Sequence, residues 1–335
     1  MSMLSVICPI YNEERYIGTC VESILAQDFP KEELEVIFAD GMSSDRTREI
    51  VADYAARYPW IRLIDNPERI VPTALNRAIE ASHGDIIMRL DAHATYPVNY
   101  FSRLTEALRE LKADNVGGVC VTLPAAETDR ARAIADVLSS RFGMGNSQFR
   151  VGADRVMVVD TVPFGCWPRE VFDRIGMFDP DLVRNQDDEF NGRLTKSGGL
   201  IYLIPDVEIT YFARDKIRKV ASMFYQYGLF KPLVNKKLGS PATVRQFVPL
   251  ALVVGLIVGL PLSFIWPWFA WLYVAGIALY VGLCVYCSCN SGKSLRRIAL
   301  QAWTYAVVHL SYGWGYIVGL WKLLTRQAFV VKVNR

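Results

Sequence analysis

The sequence predicts an α/β domain on a mainly parallel sheet, followed by a small α-helical transmembrane domain. Three observations carry this. Strand-like and helix-like runs alternate through the first two thirds of the 335 residues. Phe247 to Gly292 contains no charged residue. The charge is also divided: residues 1–215 carry 23 Lys and Arg against all 34 acids, whereas residues 216–335 carry 14 Lys and Arg and no acid. A net +3 hides this split, which places the two parts in different surroundings.

Leu4–Pro9 reads as a short buried strand and Glu14–Ala26 as a helix, with Ile17, Val21, Ile24 and Leu25 on one face. Leu34–Ala39 is the second strand, and Asp45–Tyr58 a helix with Ser43 or Ser44 available as N-cap. Ile61–Ile64, Thr73–Ala81 and Asp85–Leu90 continue the alternation, which requires crossover connections and parallel strands. Ligands of such sheets bind off the carboxyl ends of strands. Those ends carry Pro9-Ile10-Tyr11-Asn12-Glu13, Asp40-Gly41 and Asp91-Ala92-His93.

The uncharged run is about twice the ~20 residues that cross a bilayer as helix. Pro261 and Trp266-Pro267-Trp268 near its middle predict a hairpin of spans, 247–264 and 268–288. Ile298–Trp321 is a second uncharged run, either a third span or a tilted, partly interfacial helix. Six of the eight Trp lie in this third, as in interfacial aromatic belts. Lys231, Lys236, Lys237 and Arg245 precede the hairpin; Lys293, Arg296 and Arg297 follow it. The positive-inside rule then puts both hairpin ends in the cytoplasm. Lys322, Arg326, Lys332 and Arg335 argue the same for the C-terminus, against a complete third span.

The first strand begins almost at once, so no secretory signal is expected and the N-terminal domain stays in the reducing cytosol. Cys284, Cys287 and Cys289 sit in apolar sequence without His or acid partners and read as inert thiols. No Gly-x-Gly-x-x-Gly follows the first strand and no Gly-Lys-Ser/Thr loop occurs, against an NAD enzyme or a P-loop ATPase. The near-neutral charge gives no reason to expect a nucleic-acid partner.

Several landmarks stand in a telling order: Val6–Glu14, Phe38–Thr47, Leu75–Ile79 leading into Leu90-Asp91-Ala92-His93, Gly176-Met177-Phe178-Asp179, Gln186-Asp187-Asp188-Glu189-Phe190, and Tyr225–Gly228. Over residues 4–231 the chain resembles a family-2 glycosyltransferase with a GT-A fold, a Rossmann-like, mainly parallel sheet. With its membrane tail it is most similar to bacterial exopolysaccharide (succinoglycan-type) glucosyltransferases. The resemblance implies that Asp40 accepts from a uracil imide, that Tyr11 and Glu13 line the base and ribose pocket, and that Pro9 shapes the loop. It places Asp91 on the nucleotide sugar and, with His93, on a divalent metal. His93 stands where the family has Asp, and imidazole favours Mn²⁺ over Mg²⁺. Asp187 aligns with the catalytic base, with Gln186 replacing the usual Glu. One base and a direct displacement invert the anomeric centre.

Trp167, Gln226 and Lys231 are assigned to the acceptor side. Residues 125–155, with Arg130, Arg132, Arg141, Arg150 and several Gly, read either as a mobile active-site lid or as an ordinary surface loop with a helix. Lys216–Lys231 reads as a basic interfacial helix. Leu229-Phe230 replaces the Arg-Trp of the processive synthases' Gln-x-x-Arg-Trp motif, against a processive enzyme. The expected layout is a cytosolic catalytic domain over 1–215, an interfacial helix and linker over 216–245, two or three transmembrane helices over 246–323 and a basic tail over 324–335. The expected activity is transfer of a hexose, glucose from UDP-glucose, onto a polyprenyl-diphosphate-linked saccharide at the cytoplasmic face of the inner cell membrane. The alternatives are a polyprenyl-phosphate sugar synthase and an inactive scaffold subunit.

Overall fold

The computed structural model describes residues 3–241, 243–289 and 293–329. In chain order the elements are β1 (Leu4–Ile10), α1 (Ile17–Leu25), β2 (Leu34–Asp40), α2 (Thr47–Arg57), β3 (Ile61–Asp65), α3 (Val71–Ala81), β4 (Ile86–Arg89), β5 (Ala94–Thr95), α4 (Tyr100–Glu110) and β6 (Asn115–Pro124). Then follow α5 (Asp129–Leu138), α6 (Arg141–Met144), α7 (Gln148–Val151), β7 (Met157–Val158), β8 (Cys166–Pro168), α8 (Glu170–Ile175), α9 (Gln186–Lys196) and β9 (Ile201–Ala213). The chain closes with α10 (Ile217–Leu238), α11 (Phe247–Ile265), α12 (Pro267–Ser288) and α13 (Leu295–Leu324). Two compact units form: Met1–Val121 with Gln148–Tyr211, and Thr122–Ser147 with Phe212–Arg335.

The first unit is built on one sheet of order β3-β2-β1-β4-β8-β6-β9-β5, with β7 on β9. β3, β2, β1 and β4 are parallel. From β8 onward the pairings described run antiparallel. β1 and β2 are buried along their whole length, which is why they read as continuous apolar runs. Pro9 lies within β1, opposite Ala39, beyond the last β4 pairing at Ile7–Arg89, so its missing N–H breaks no ladder bond on that side. At the α2 start Asp45 Oδ1 accepts from Thr47 N at 3.0 Å.

Glu35 on β2, 5% exposed, ties the strand to the turn before β4. It accepts from Ser5 Oγ at 2.6 Å and from the backbone N–H groups of His83 and Gly84. Burial pushes its carboxyl up, but these hydrogen bonds outweigh burial and leave the pKa below the usual value. Such a group contributes stability above its unfolded pKa and loses it as pH falls through the folded one. Glu35→Ala takes the acceptor from the Ser5 hydroxyl and the His83 N–H, while Gly84 N keeps Ser5 Oγ, and should cost on the order of 2 kcal/mol. A thermal melt at neutral pH should show that loss, and the gap between variant and parent should narrow on acidification.

In the second unit α11 and α12 are each long and apolar enough to cross a membrane, and they break at Trp266-Pro267 as the hairpin requires. The second uncharged run is part of α13, a 30-residue helix. Its inner face buries Gln301, Thr304, Tyr305, Val308, Gly313, Gly315, Tyr316 and Gly319. Gly315 and Gly319 let the backbone of α10 approach: a Cβ on either would stand 2.1 Å from Tyr225 O or 2.3 Å from Leu229 O. Gly315→Leu should therefore separate α10 from α13 and lower the detergent melting temperature, at a cost of roughly 3 kcal/mol or more.

The units divide at 211–212, near the expected 215, and the segment 125–155 is split between them at 147–148. Residues 122–147 pack with the C-terminal helices. Asp136 pairs with Lys293 at 3.1 Å and Arg297 at 2.9 Å, Tyr305 Oη donates to Ser140 Oγ at 2.9 Å, and Phe142 O lies 2.9 Å from His309 Nε2. A segment held by two ion pairs and these polar contacts is a fixed part of that unit. The basic helix expected to end at Lys231 continues through Pro232 to Leu238. Of the tail, residues 330–335 lie outside the described residues.

Candidate active site

Three loops meet at the carboxyl ends of β1, β2 and β3. Asn12 N donates to Ser43 Oγ at 2.9 Å, and Ser44 N donates back to Asn12 Oδ1 at 2.9 Å. Glu13 N donates to Thr47 Oγ1 at 2.7 Å. Asn12 at φ +54 and Met42 at φ +60 make the sharp turns this lacing needs. A Cβ on Gly41 would stand 3.3 Å from Tyr11 and 3.5 Å from Arg69 Cα, so Gly41 lets these loops close together.

Asp40 ends β2 with its side chain fully buried. Its carboxylate accepts from Ser43 N at 2.9 Å, from the Ser43 hydroxyl and from Arg48 Nη1 at 2.6 Å. Arg48 Nη2 reaches Asp65 at 2.8 Å, joining the ends of β2 and β3. Asp40, which the resemblance places on a uracil imide, is buried at the strand end, where its carboxylate holds Ser43 and Arg48 and shapes the loop.

Past β4 the chain turns through Asp91 and His93. Tyr96 Oη accepts from Asp91 N at 2.7 Å and donates to Asp91 O at 3.2 Å, and the Tyr96 ring packs on Tyr100. This anchors the turn. His93 Nδ1 lies 2.8 Å from Asp91 Oδ1 and 3.4 Å from Glu13 Oε1. The Asp91 charge pushes the His93 pKa up to about 10 against the opposing effect of burial, with Glu13 adding to the rise. Glu13, expected beside the base and ribose, lies 3.4 Å from His93 Nδ1 through Oε1.

Asp187 stands in the first turn of α9, where the helix dipole favours a carboxylate. It pairs with Arg89 Nη1; the arginine side chain is 7% exposed and that of Asp187 38%. Desolvation in the cleft pushes the Asp187 carboxyl above its usual value, and the Arg89 charge pulls it back. The open part of the side chain leaves room for a hydroxyl to approach. Arg89 is held in turn: its N donates to Gly165 O at 3.0 Å, and its guanidinium lies 5.9 Å from the Phe164 ring. Phe164 at φ +57 followed by Gly165 at φ +42 is strained backbone of the kind found at functional sites. Glu189 pairs with Arg193 at 2.6 Å, and Arg193 Nη2 donates to Met177 O at 2.7 Å; both are structural.

The first unit therefore gathers Tyr11, Glu13, Asp40, Asp91, His93 and Asp187 around the carboxyl ends of its parallel strands, with Pro9 in the strand behind. Trp167 does not join them. It is 3% exposed and packs edge-on against Phe172, Phe178 and Phe190, a core position that no acceptor reaches. Gln226 and Lys231 lie on α10 in the second unit, where the Gln226 amide donates to Ser222 Oγ at 3.3 Å. Sequence reasoning missed Arg48, Arg89 and Tyr96. Arg89 had a signal, as the one charge inside the apolar run Ile86-Ile87-Met88-Arg89-Leu90.

A parallel sheet with acids and a histidine at its strand ends, and a carboxylate on a helix start in the same unit, is an architecture of the GT-A class. The chain belongs to glycosyl transferase family 2, whose model matches residues 5–174. Succinoglycan biosynthesis protein ExoA of Rhizobium meliloti is 29% identical over 291 residues, covering 84% of this chain and 83% of that one. The dolichyl N-acetyl-alpha-D-glucosaminyl phosphate 3-beta-D-2,3-diacetamido-2,3-dideoxy-beta-D-glucuronosyltransferase of Methanococcus voltae is 28% identical, covering 71% and 75%. Among solved structures, the mannosyltransferase PcManGT of Pyrobaculum calidifontis, in complex with GDP-Man and Mn²⁺, superposes with a TM-score of 0.61 at 21% identity, over 96% of this chain and 88% of that one. At that identity the likeness speaks for the fold. The protein is a glycosyltransferase of polysaccharide or glycan synthesis.

Proposed function

We propose that the protein transfers a hexose, glucose from UDP-glucose, with inversion onto a polyprenyl-diphosphate-linked saccharide, at the cytoplasmic face of a membrane crossed by α11 and α12. The observation that carries the reading is Asp187, partly open to solvent and paired with Arg89, in the same unit as the Asp91–His93–Glu13 cluster. Asp187 takes the proton from the acceptor hydroxyl as its oxygen attacks the anomeric carbon, and nucleoside diphosphate leaves. Tyr11, Gly41 and Arg69 receive the nucleoside, on loops that Asp40 and Arg48 hold.

A divalent cation suits this donor set. Two carboxylates converge on one imidazole nitrogen that shares its proton with them; a divalent cation displacing that proton would neutralise the two carboxylates and leave the imidazole nitrogen as a ligand. Asp91 and His93 would hold it, with Glu13 beside them. Among the described residues no three His, Cys, Asp or Glu side chains are grouped to hold a metal unaided, so donor oxygens and water would complete its shell. The ion supplies charge neutralisation at the diphosphate leaving group. Gln226 and Lys231 remain assigned to the acceptor's lipid-phosphate end.

The test is nucleotide release by purified protein in detergent, with a panel of UDP-sugars and GDP-mannose, lipid-linked acceptor, and Mn²⁺ or chelator. Release confined to UDP-glucose and lost with chelator supports the reading. Release with another donor only, or undiminished by chelator, overturns the corresponding part.

A further inference from the structure

α13 is the element whose place the sequence leaves open, and its outer face is distinctive. Trp303, Trp314 and Trp321 are 58%, 50% and 60% exposed. Trp303 and Trp321 are 18 residues apart, five whole turns at 3.6 residues per turn, and Trp314 falls within about 20° of the same line. Leu295, Leu320 and Leu324 are exposed too, and the exposed Arg296 flanks the row at its N-terminal end. The opposite face is the small and polar one that packs within this unit.

A stripe about 27 Å long would fit a helix crossing the bilayer or one lying along its surface. The contacts of α13 decide between them. Among the described residues, the contacts that locate it on the hairpin fall at one end. A Cβ on Gly313 would stand 2.2 Å from Pro249 O and 2.6 Å from Val253, near the start of α11. His309 Nδ1 lies 3.0 Å from Tyr280 Oη, and Cys284 shares a cluster with Tyr305 and Val308, toward the end of α12. Phe264, Ile265, Trp266, Trp268 and Trp271 at the hairpin turn stay exposed. A third span would run along the hairpin instead of meeting only its base.

α10 supplies the second argument. It lies backbone to backbone with α13 at Gly228, Gly315 and Gly319, and Asn235 Nδ2 donates to Tyr316 Oη at 2.9 Å. α10 carries Arg218 and Lys219 at its start, Lys231 within and Lys236 and Lys237 at its end. A cation within a span, as Lys231 would be, costs about 3 kcal/mol at the centre of a bilayer, and α10 is not among the helices apolar enough to cross one, so α10 belongs at the surface and α13 with it. Tryptophan, leucine and flanking cations are the composition of an interfacial helix on anionic lipid.

We propose that α13 is an in-plane helix that lies across the base of the α11–α12 hairpin on the catalytic side, with Trp303, Trp314 and Trp321 seated in the lipid interface. This rests on the reading that α11 and α12 span the membrane. The whole chain, with Cys287 and Cys289 replaced by Ser, is reconstituted in vesicles containing anionic lipid. Spin labels at Trp303→Cys, Trp314→Cys and Trp321→Cys report depth, and an impermeant maleimide reports the side at Thr325→Cys. Equal, shallow depths and labelling of Thr325→Cys from the catalytic side are expected. A label at 314 about 10 Å deeper than those at 303 and 321, or labelling of Thr325→Cys from the far side only, would show a third span. Three labels open to aqueous relaxant would show no lipid contact; both results overturn the proposal. Trp266→Cys separates the premise: it is labelled from the far side only if the hairpin spans, whatever α13 does.

Discussion

Asp187→Asn should lower kcat by about 10²- to 10⁴-fold, the range for losing a general base, while donor binding is retained. The amide keeps the shape of the side chain and a hydrogen bond at Arg89 but cannot take a proton. Unchanged turnover would remove Asp187 from the reaction. Because its carboxyl is raised by burial and only partly drawn back by Arg89, the acid limb of kcat/KM should lie above the ordinary carboxylate range, with activity falling as the pH drops through it. The base is active when ionised, so a raised pKa narrows the working range from the acid side. Arg89→Leu removes the charge that draws the pKa down and should move that limb further up. A limb that stays in place would show that Arg89 is structural only.

The second large effect concerns the metal. Chelation should remove turnover by roughly 10³-fold or more, as expected of several kcal/mol of charge stabilisation. Asp91→Asn should do the same at any cation concentration. His93→Asp is more discriminating. A third carboxylate beside Asp91 and Glu13 makes the site harder, so this variant should keep activity with Mg²⁺ and lose its preference for Mn²⁺. Metal-independent release by the parent protein would refute the assignment of Asp91 and His93.

Much of the catalytic unit was legible because its information is local. β1 and β2 are apolar runs ending in turn residues, and α3 ends at Ala81 as its pattern predicts, though it begins two residues before Thr73. Motif order placed Asp91, His93 and Asp187 in one unit. The direction of individual side chains was not legible. Asp40 and Glu13 lie on the expected loops, yet one turns into the protein and the other toward His93, because their neighbours Arg48 and His93 come from other segments. Trp167 reads like an acceptor aromatic and is a core residue, since the Phe172, Phe178 and Phe190 that enclose it are brought there by folding.

The sequence by itself determined the family, the parallel half of the sheet, the apolar hairpin and the division of charge, since periodicity, composition and motif order are properties of adjacent residues. Only the tertiary structure decided that residues 122–147 belong with the C-terminal helices, that Arg89 meets Asp187, and that α13 packs on α10 through Gly315 and Gly319. Asp136 with Arg297 and Arg89 with Asp187 are each about a hundred residues or more apart. Such pairings depend on how the elements pack, which no local pattern records.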